Sequence, residues 1–249
     1  MNPIICDVFV SNTAVGNPAA VVELDAWLSD DELLNITKDL DQPITAFVVN
    51  DLDNYHIRWF SLSGEINLCG HGSLAAGAVM LAHYSIQEIS FQSQYGQVFI
   101  SRVNNSYSLT LPSWSAVFPA KHDEVTESIL ESIDLFSTRD LVVVLPSVES
   151  VKDFKPDYKK VARMNNHHAL IVTAQDGDSG YVLRYFAPKI GIDEDIATGS
   201  AQCSLAPYWF VKLGRNRLQV NQLSHIGGYF EVERLSEHEI KLLAQVEFR

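Results

Sequence analysis

Two stretches of this chain share one design. Ile57-Arg58-Trp59-Phe60 leads into Leu68-Cys69-Gly70-His71-Gly72-Ser73, and Leu183-Arg184-Tyr185-Phe186 leads into Ile196-Ala197-Thr198-Gly199-Ser200-Ala201. Each is a strand-like run, then a corner of small residues, then a segment apolar almost all round: Ser73–His83 in one case, Ala201–Leu213 in the other. A helix with no polar face must be enclosed by other structure. Aligning the corners pairs Cys69 with Thr198, Gly70 with Gly199, His71 with Ser200 and Gly72 with Ala201, and sets Glu65 opposite Glu194. Repetition in this order reads as an internal duplication. The expected fold is α+β, with two pseudo-symmetric lobes, each an antiparallel sheet wrapped round a buried helix. Prolines interrupt the pattern near Leu111–Pro119. The N-terminal lobe is therefore set at 1–113 and the C-terminal lobe at 114–249, with the last strand able to return to the first lobe.

Strand-like runs dominate both halves. In the first they are Ile4–Val10, Ala19–Glu23, Ala46–Val49, Tyr55–Phe60, Glu88–Gln92, Gln97–Val103 and Ser106–Leu111, the last two joined by a turn at Asn104-Asn105. In the second they are Asp140–Leu145, Ala169–Thr173, Tyr181–Phe186, Arg217–Gln222, Tyr229–Arg234 and Ile240–Glu247. Ser29 and Glu32 form a capping box ahead of Leu33, Ile36 and Leu40. Surface helices are expected over Asp123–Phe136 and Pro156–Met164.

With 18 basic and 31 acidic side chains the net charge is −13, a field that repels a nucleic-acid backbone. No run approaches the roughly 18 apolar residues of a membrane span, and the N-terminus lacks the basic region of a signal peptide. The expected setting is cytoplasmic, with no nucleic-acid or membrane partner. Cys6, Cys69 and Cys203 lack the spacing of a metal site, and none is expected.

A strand that turns through Gly into a helix leaves the first helical amides without intrahelical partners. Those N–H groups and the helix dipole attract an anion. Gly-rich corners also form where a tight turn is all that is needed. Two of them, with a polar side chain at the matching position in each, favour a ligand site to which each lobe contributes half. The ligand expected there is a small carboxylate-bearing molecule, with His71 and Ser200 reaching it from opposite sides. Backbone and side-chain contacts are expected from Gly70, Gly72, Ser73, Thr198, Gly199 and Ala201, and from Asn17 in the Gly-Asn-Pro turn. Arg58 and Arg184 are expected to be solvated or paired to nearby acids, and the adjacent His167 and His168 to face opposite ways.

At these residues the chain resembles the phenazine-biosynthesis isomerase-like (PhzF-like) family. The resemblance runs through FVSNTAVGNPAAVV (9–22), IRWFSLSGEINLCGHGSLAA (57–76) and RYFAPKIGIDEDIATGSAQCSLAPYW (184–209), and so spans nearly the whole chain. It implies the two-lobed fold of diaminopimelate epimerase, a cleft between the lobes, a homodimer and no cofactor. It also implies an isomerase that moves a proton between carbon atoms, assisted by the residues that match His71, Asp195 and Ser200. The family's glutamate base does not carry over. In Gln42-Pro43-Ile44-Thr45-Ala46-Phe47 the register places Ile44 at its position. Asp195, His71 or, if the loop shifts, Asp41 or Gln42 could replace that base. The other reading is a homologue that binds without turnover. A racemase with one thiol per corner is disfavoured, because Thr198 stands where the second cysteine would be.

Overall fold

The computed structural model describes residues 2–51, 54–67, 69–118, 120, 125 and 132–249. The chain divides into two units, Met1–Thr110 with Leu243–Arg249, and Leu111–Leu242. The first holds β1 (Ile4–Val10), β2 (Asn17–Leu24), α1 (Asp30–Leu40), β3 (Ile44–Asp51), β4 (Asn54–Ser61), β5 (Gly64–Ile66), α2 (Gly70–His83), β6 (Glu88–Ser93), β7 (Gly96–Val103) and most of β8 (Ser106–Pro112). The second holds β9 (Asp134–Ser137), β10 (Leu141–Val144), α3 (Val148–Asp153), α4 (Tyr158–Ala162), β11 (Leu170–Asp176) and β12 (Gly180–Phe186). It continues through a 3₁₀ turn (Gly199–Ala201), α5 (Gln202–Leu213), β13 (Arg217–Gln222) and β14 (Gly228–Arg234) into β15 (Glu239–Phe248).

The duplication is visible in how strands pair. In the first unit β1–β2 is antiparallel, β2–β3 parallel, β3–β4 antiparallel, β4–β6 parallel and β6–β7 antiparallel. In the second unit β9–β10, β10–β11, β11–β12, β12–β13 and β13–β14 repeat that sequence of directions. The sheets are thus mixed, and the antiparallel sheet expected in each lobe is corrected by four parallel pairs. Each parallel pair flanks a stretch that contains a helix, as a parallel connection requires. Residue alternation reports the faces of a strand, not its direction.

Helices cover both faces of the strands. In the first unit α1 packs Leu33 against Val22, Leu24, Phe47, Val49 and Phe60. The capping box holds its start, with the Ser29 N–H on Glu32 Oε2 at 2.9 Å and the Glu32 N–H on Ser29 Oγ at 3.4 Å. On the other side α2 is buried from Gly72 to Leu81. It approaches β7 so closely that a Cβ on Gly77 would stand 2.5 Å from Ile100 Cγ2. In the second unit α3 and α4 contribute Val151 and Val161 to a core with Leu141, Val143, Leu170 and Val172. Cover on both faces explains why β10 reads Leu-Val-Val-Val without a polar position.

Two expectations change here. Much of the helix expected over Asp123–Phe136 lies outside the described residues, and its last positions belong to β9, which starts at Asp134. His167 and His168 lie in the loop before β11, not in a strand, with His167 Nε2 2.8 Å from Ser137 Oγ. Among the described residues no helix is long and apolar enough to cross a membrane.

Candidate functional site

The first corner is built around Cys69. It caps α2 with its side chain, Sγ accepting from the Gly72 N–H at 3.4 Å, and its carbonyl accepts the Ser73 N–H at 2.9 Å and the Ser73 hydroxyl at 2.7 Å. Ser73 is fully buried and closes the corner from inside, so the structure does not present its hydroxyl to a ligand. Gly70 and His71, the first two residues of the helix, keep amides that have no intrahelical acceptor. Cys69 Sγ also lies 3.3 Å from His71 Nδ1. His71 as a residue is half-buried, but its Nε2 is buried and has no partner among the described residues. Burial pushes the imidazole down to about 4, because the charged ring would lose its water.

Apolar groups wall this corner. Ile44 opens β3 and is buried, and its Cγ2 would lie 3.0 Å from a Cβ on Gly72, as would Trp59 Cδ1. Gly72 is therefore small of necessity, and Ile44 packs directly against the corner that carries His71. The nearby polar residues Asp41 and Gln42 finish α1 instead. Asp41 is its left-handed cap, and Gln42 Nε2 donates to the carbonyls of Leu40 and Asp41 at 3.1 Å each. Asn17 is buried at the head of β2, opposite Val8.

At the second corner the equivalent residue works differently. The Thr198 side chain caps no helical amide. Its hydroxyl donates to Asp195 Oδ2 at 2.6 Å. Gln222, buried at the end of β13, holds both residues. Its Oε1 accepts the Thr198 N–H at 2.8 Å, while Nε2 donates to the Asp195 carbonyl at 2.7 Å and lies 3.2 Å from Thr198 Oγ1. Gly199 and Ser200 open the helical segment and, like Gly70 and His71, have amides without an intrahelical acceptor. Ala201 is fully buried behind them. A Cβ on Gly228 would come within 2.4 Å of Ala197 Cβ, so β14 supports this corner at close quarters.

A cation stands beside Ser200. Arg139 Nη2 is 3.4 Å from Ser200 Oγ, 3.2 Å from the Tyr185 hydroxyl and 3.1 Å from Asp140 Oδ2, while Nε reaches Asp140 Oδ1 at 3.2 Å. The guanidinium lies over the Trp114 ring at 4.8 Å, and 39% of the side chain is exposed. Trp114 is held by the helix itself. Pro207 lies inside α5 and has no N–H for the Cys203 carbonyl, and the Trp114 N–H takes that carbonyl at 2.9 Å. Sequence reading found neither Arg139 nor Gln222. An arginine ahead of a strand has no local signature, whereas Gln222, on the buried face of β13 with Leu218 and Val220, could have been read as a partner for the corner.

The conserved design of the two stretches extends to their ion pairs. Arg58 grips Glu65 with Nε–Oε1 at 2.8 Å and Nη2–Oε2 at 2.6 Å, and lies over the Phe60 ring. Arg184 grips Glu194 in the same two-pronged way, at 2.7 and 2.9 Å, and lies over Phe186. These arginines brace the strands that lead to the corners. A cavity of about 410 Å³ lined by Trp27, His56, Arg58, Gln92 and Gln94 includes none of the expected site residues. Among the described residues no group of three His, Cys, Asp or Glu is arranged to hold a metal ion.

A model of the phenazine biosynthesis-like protein family matches residues 6–246. An uncharacterized isomerase of Vibrio cholerae is 57% identical over 245 residues, which cover 98% of this chain and 88% of that protein. The crystal structure of a putative phenazine biosynthesis PhzC/PhzF protein from Clostridium difficile is similar at a TM-score of 0.90 and 32% identity, covering 99% of this chain and 96% of that one. A probable proline racemase from Agrobacterium radiobacter shares the fold alone, at a TM-score of 0.64 and 10% identity over 99% and 91% of the two chains.

Proposed function

From the premise that this chain belongs to the phenazine biosynthesis-like protein family, we propose that it is a cofactor-independent isomerase of a small carboxylate-bearing metabolite. One ligand is served by both corners, and a carbon-bound proton moves during the reaction. The observation that carries this reading is the complementary chemistry of the two corners. One corner offers a buried imidazole nitrogen with no partner among the described residues, and the other a carboxylate fixed by a threonine hydroxyl.

In this reading Asp195 is the base in place of the missing glutamate, and His71 is the acid. The amides of Gly70, His71, Gly199 and Ser200 meet the ligand's carboxylate or the charge that develops on it. Ser200 has its oxygen turned to Arg139 and its proton left to donate to the ligand. Arg139 supplies positive potential beside an otherwise acidic protein surface. The active form is a homodimer, which sedimentation at several concentrations would test.

The test is hydrogen exchange in heavy water with a panel of small unsaturated carboxylates. Exchange at carbon is expected with at least one of them, falling about 10²–10⁴-fold in Asp195→Asn and in His71→Asn, the range typical of a lost acid or base. Binding without exchange would overturn the reading. It would favour the second one, a binding protein, which the packing of Ile44 on the His71 corner supports. Ile44→Glu separates the two. A binding protein gains exchange from it, while an enzyme that already uses Asp195 does not.

A further inference from the structure

We infer that Cys69 acts through His71, its thiol donating to Nδ1 so that the neutral ring carries its own proton on Nε2, and replacing that proton when Nε2 gives it up. The catalytic meaning rests on the proposed isomerase, but the arrangement of hydrogens does not.

Three observations lead to it. Cys69 Sγ is 3.3 Å from Nδ1 and 3.4 Å from the Gly72 N–H. The amide can only donate, so sulfur is the acceptor on that side. On the other side one hydrogen lies between sulfur and Nδ1, and an imidazole nitrogen is the better acceptor of the two. The ring is held neutral by burial, which excludes a charged ring donating from both nitrogens. A neutral ring that accepts at Nδ1 must bear its hydrogen at Nε2, the buried atom that has no partner among the described residues.

A neutral imidazole is a poor proton donor alone, because losing Nε2–H would leave an imidazolate. The thiol removes that obstacle. As the Nε2–H bond breaks and a new C–H bond forms on the ligand, the S–H proton passes to Nδ1. The ring stays neutral, now protonated at Nδ1, and the negative charge rests on sulfur. Asp195 has meanwhile gained the proton taken from the ligand's other carbon, so no net proton enters or leaves. The thiolate is stabilised where it forms, since Cys69 caps α2 and its sulfur already accepts a helical amide. Thr198, the matching residue, cannot play this part, and its hydroxyl serves Asp195 instead.

The test is nitrogen NMR of protein labelled at histidine, near pH 7 and without ligand. The His71 proton is expected on Nε2 in the wild type and in Cys69→Ser, whose hydroxyl can still donate to Nδ1. In Cys69→Ala the two tautomers are expected to mix. A wild-type proton on Nδ1, or a tautomer unmoved by Cys69→Ala, would overturn the inference. Should Cys69→Ala not fold, a proton found on Nδ1 in the wild type or in Cys69→Ser still overturns it. With any carboxylate that shows exchange, Cys69→Ser is expected to keep the tautomer and lose at least tenfold in rate, because a serine hydroxyl parts with its proton far less readily. A serine variant as fast as wild type would also overturn it. Absence of exchange in every protein would defeat the isomerase reading and leave the tautomer result standing.

Discussion

His71 makes the stability of this protein depend on pH in a calculable direction. The unfolded ring takes a proton near 6.5, whereas the folded one holds out to about 4. Between these values unfolding binds a proton, so stability falls as the pH drops through the window and is fully present above it. The loss is at most about 3.4 kcal/mol from the size of that gap. Urea midpoints at pH 7 and pH 4.5 should therefore differ more in the wild type than in His71→Gln. Thr198→Val tests the other corner. It removes the 2.6 Å bond to Asp195 and leaves Gln222 Nε2 with one acceptor fewer, a cost of about 1–3 kcal/mol for unpaired buried groups. Thr198→Ser should recover most of that, as urea denaturation of the three proteins would show. At this scale the sequence was legible where chemistry is local. His71 and Ser200 lie in the first turns after the two small-residue corners, and Ile44 opens β3. Arg139 and Gln222 escaped because each reaches its corner from a distant part of the chain, and only folding brings it there.

Elements were easier to read than contacts. The runs Ile4–Val10 and Arg217–Gln222 match β1 and β13 end for end, and the helices without a polar face became α2 and α5. The short β5 and α3 were missed, since three and six residues carry too little periodicity to register. Packing of these elements predicts two outcomes. Gly77→Ala should gain about 1 kcal/mol of helix propensity but force α2 off Ile100, whose Cβ lies only 2.8 Å from the added carbon. The net effect should be destabilising by about 1–3 kcal/mol, as overpacking usually is, measured by thermal unfolding. Pro207→Ala should return an N–H to α5 and set it in competition for the Cys203 carbonyl. Hydrogen exchange at the Trp114 amide should then quicken several-fold, and the stacking of Trp114 on Arg139 should loosen, visible as a change in tryptophan fluorescence.

For the molecule as a whole, duplication explains most of the plan, and one detail departs from it. Leu243–Arg249 belongs to the first unit, where β15 pairs with β1 and sets Phe248 opposite Cys6. Arg249 adds a backbone bond to Ile5 at 3.0 Å and a two-pronged grip on Asp7. A protein cut after Leu242 should expose the flank of β1 and lose several kcal/mol, with self-association as the readout in sedimentation. The arrangement also sets an order of events during synthesis. The ribosome must deliver all of Leu111–Leu242 before the first unit can receive its closing segment, so early-made residues wait unfinished while late ones emerge. Cys6 is a built-in clock for that delay, since burial pushes its thiol up to about 12 in the finished fold. Pulse alkylation of stalled nascent chains should modify Cys6 readily until the final segment clears the exit tunnel, and scarcely at all afterwards.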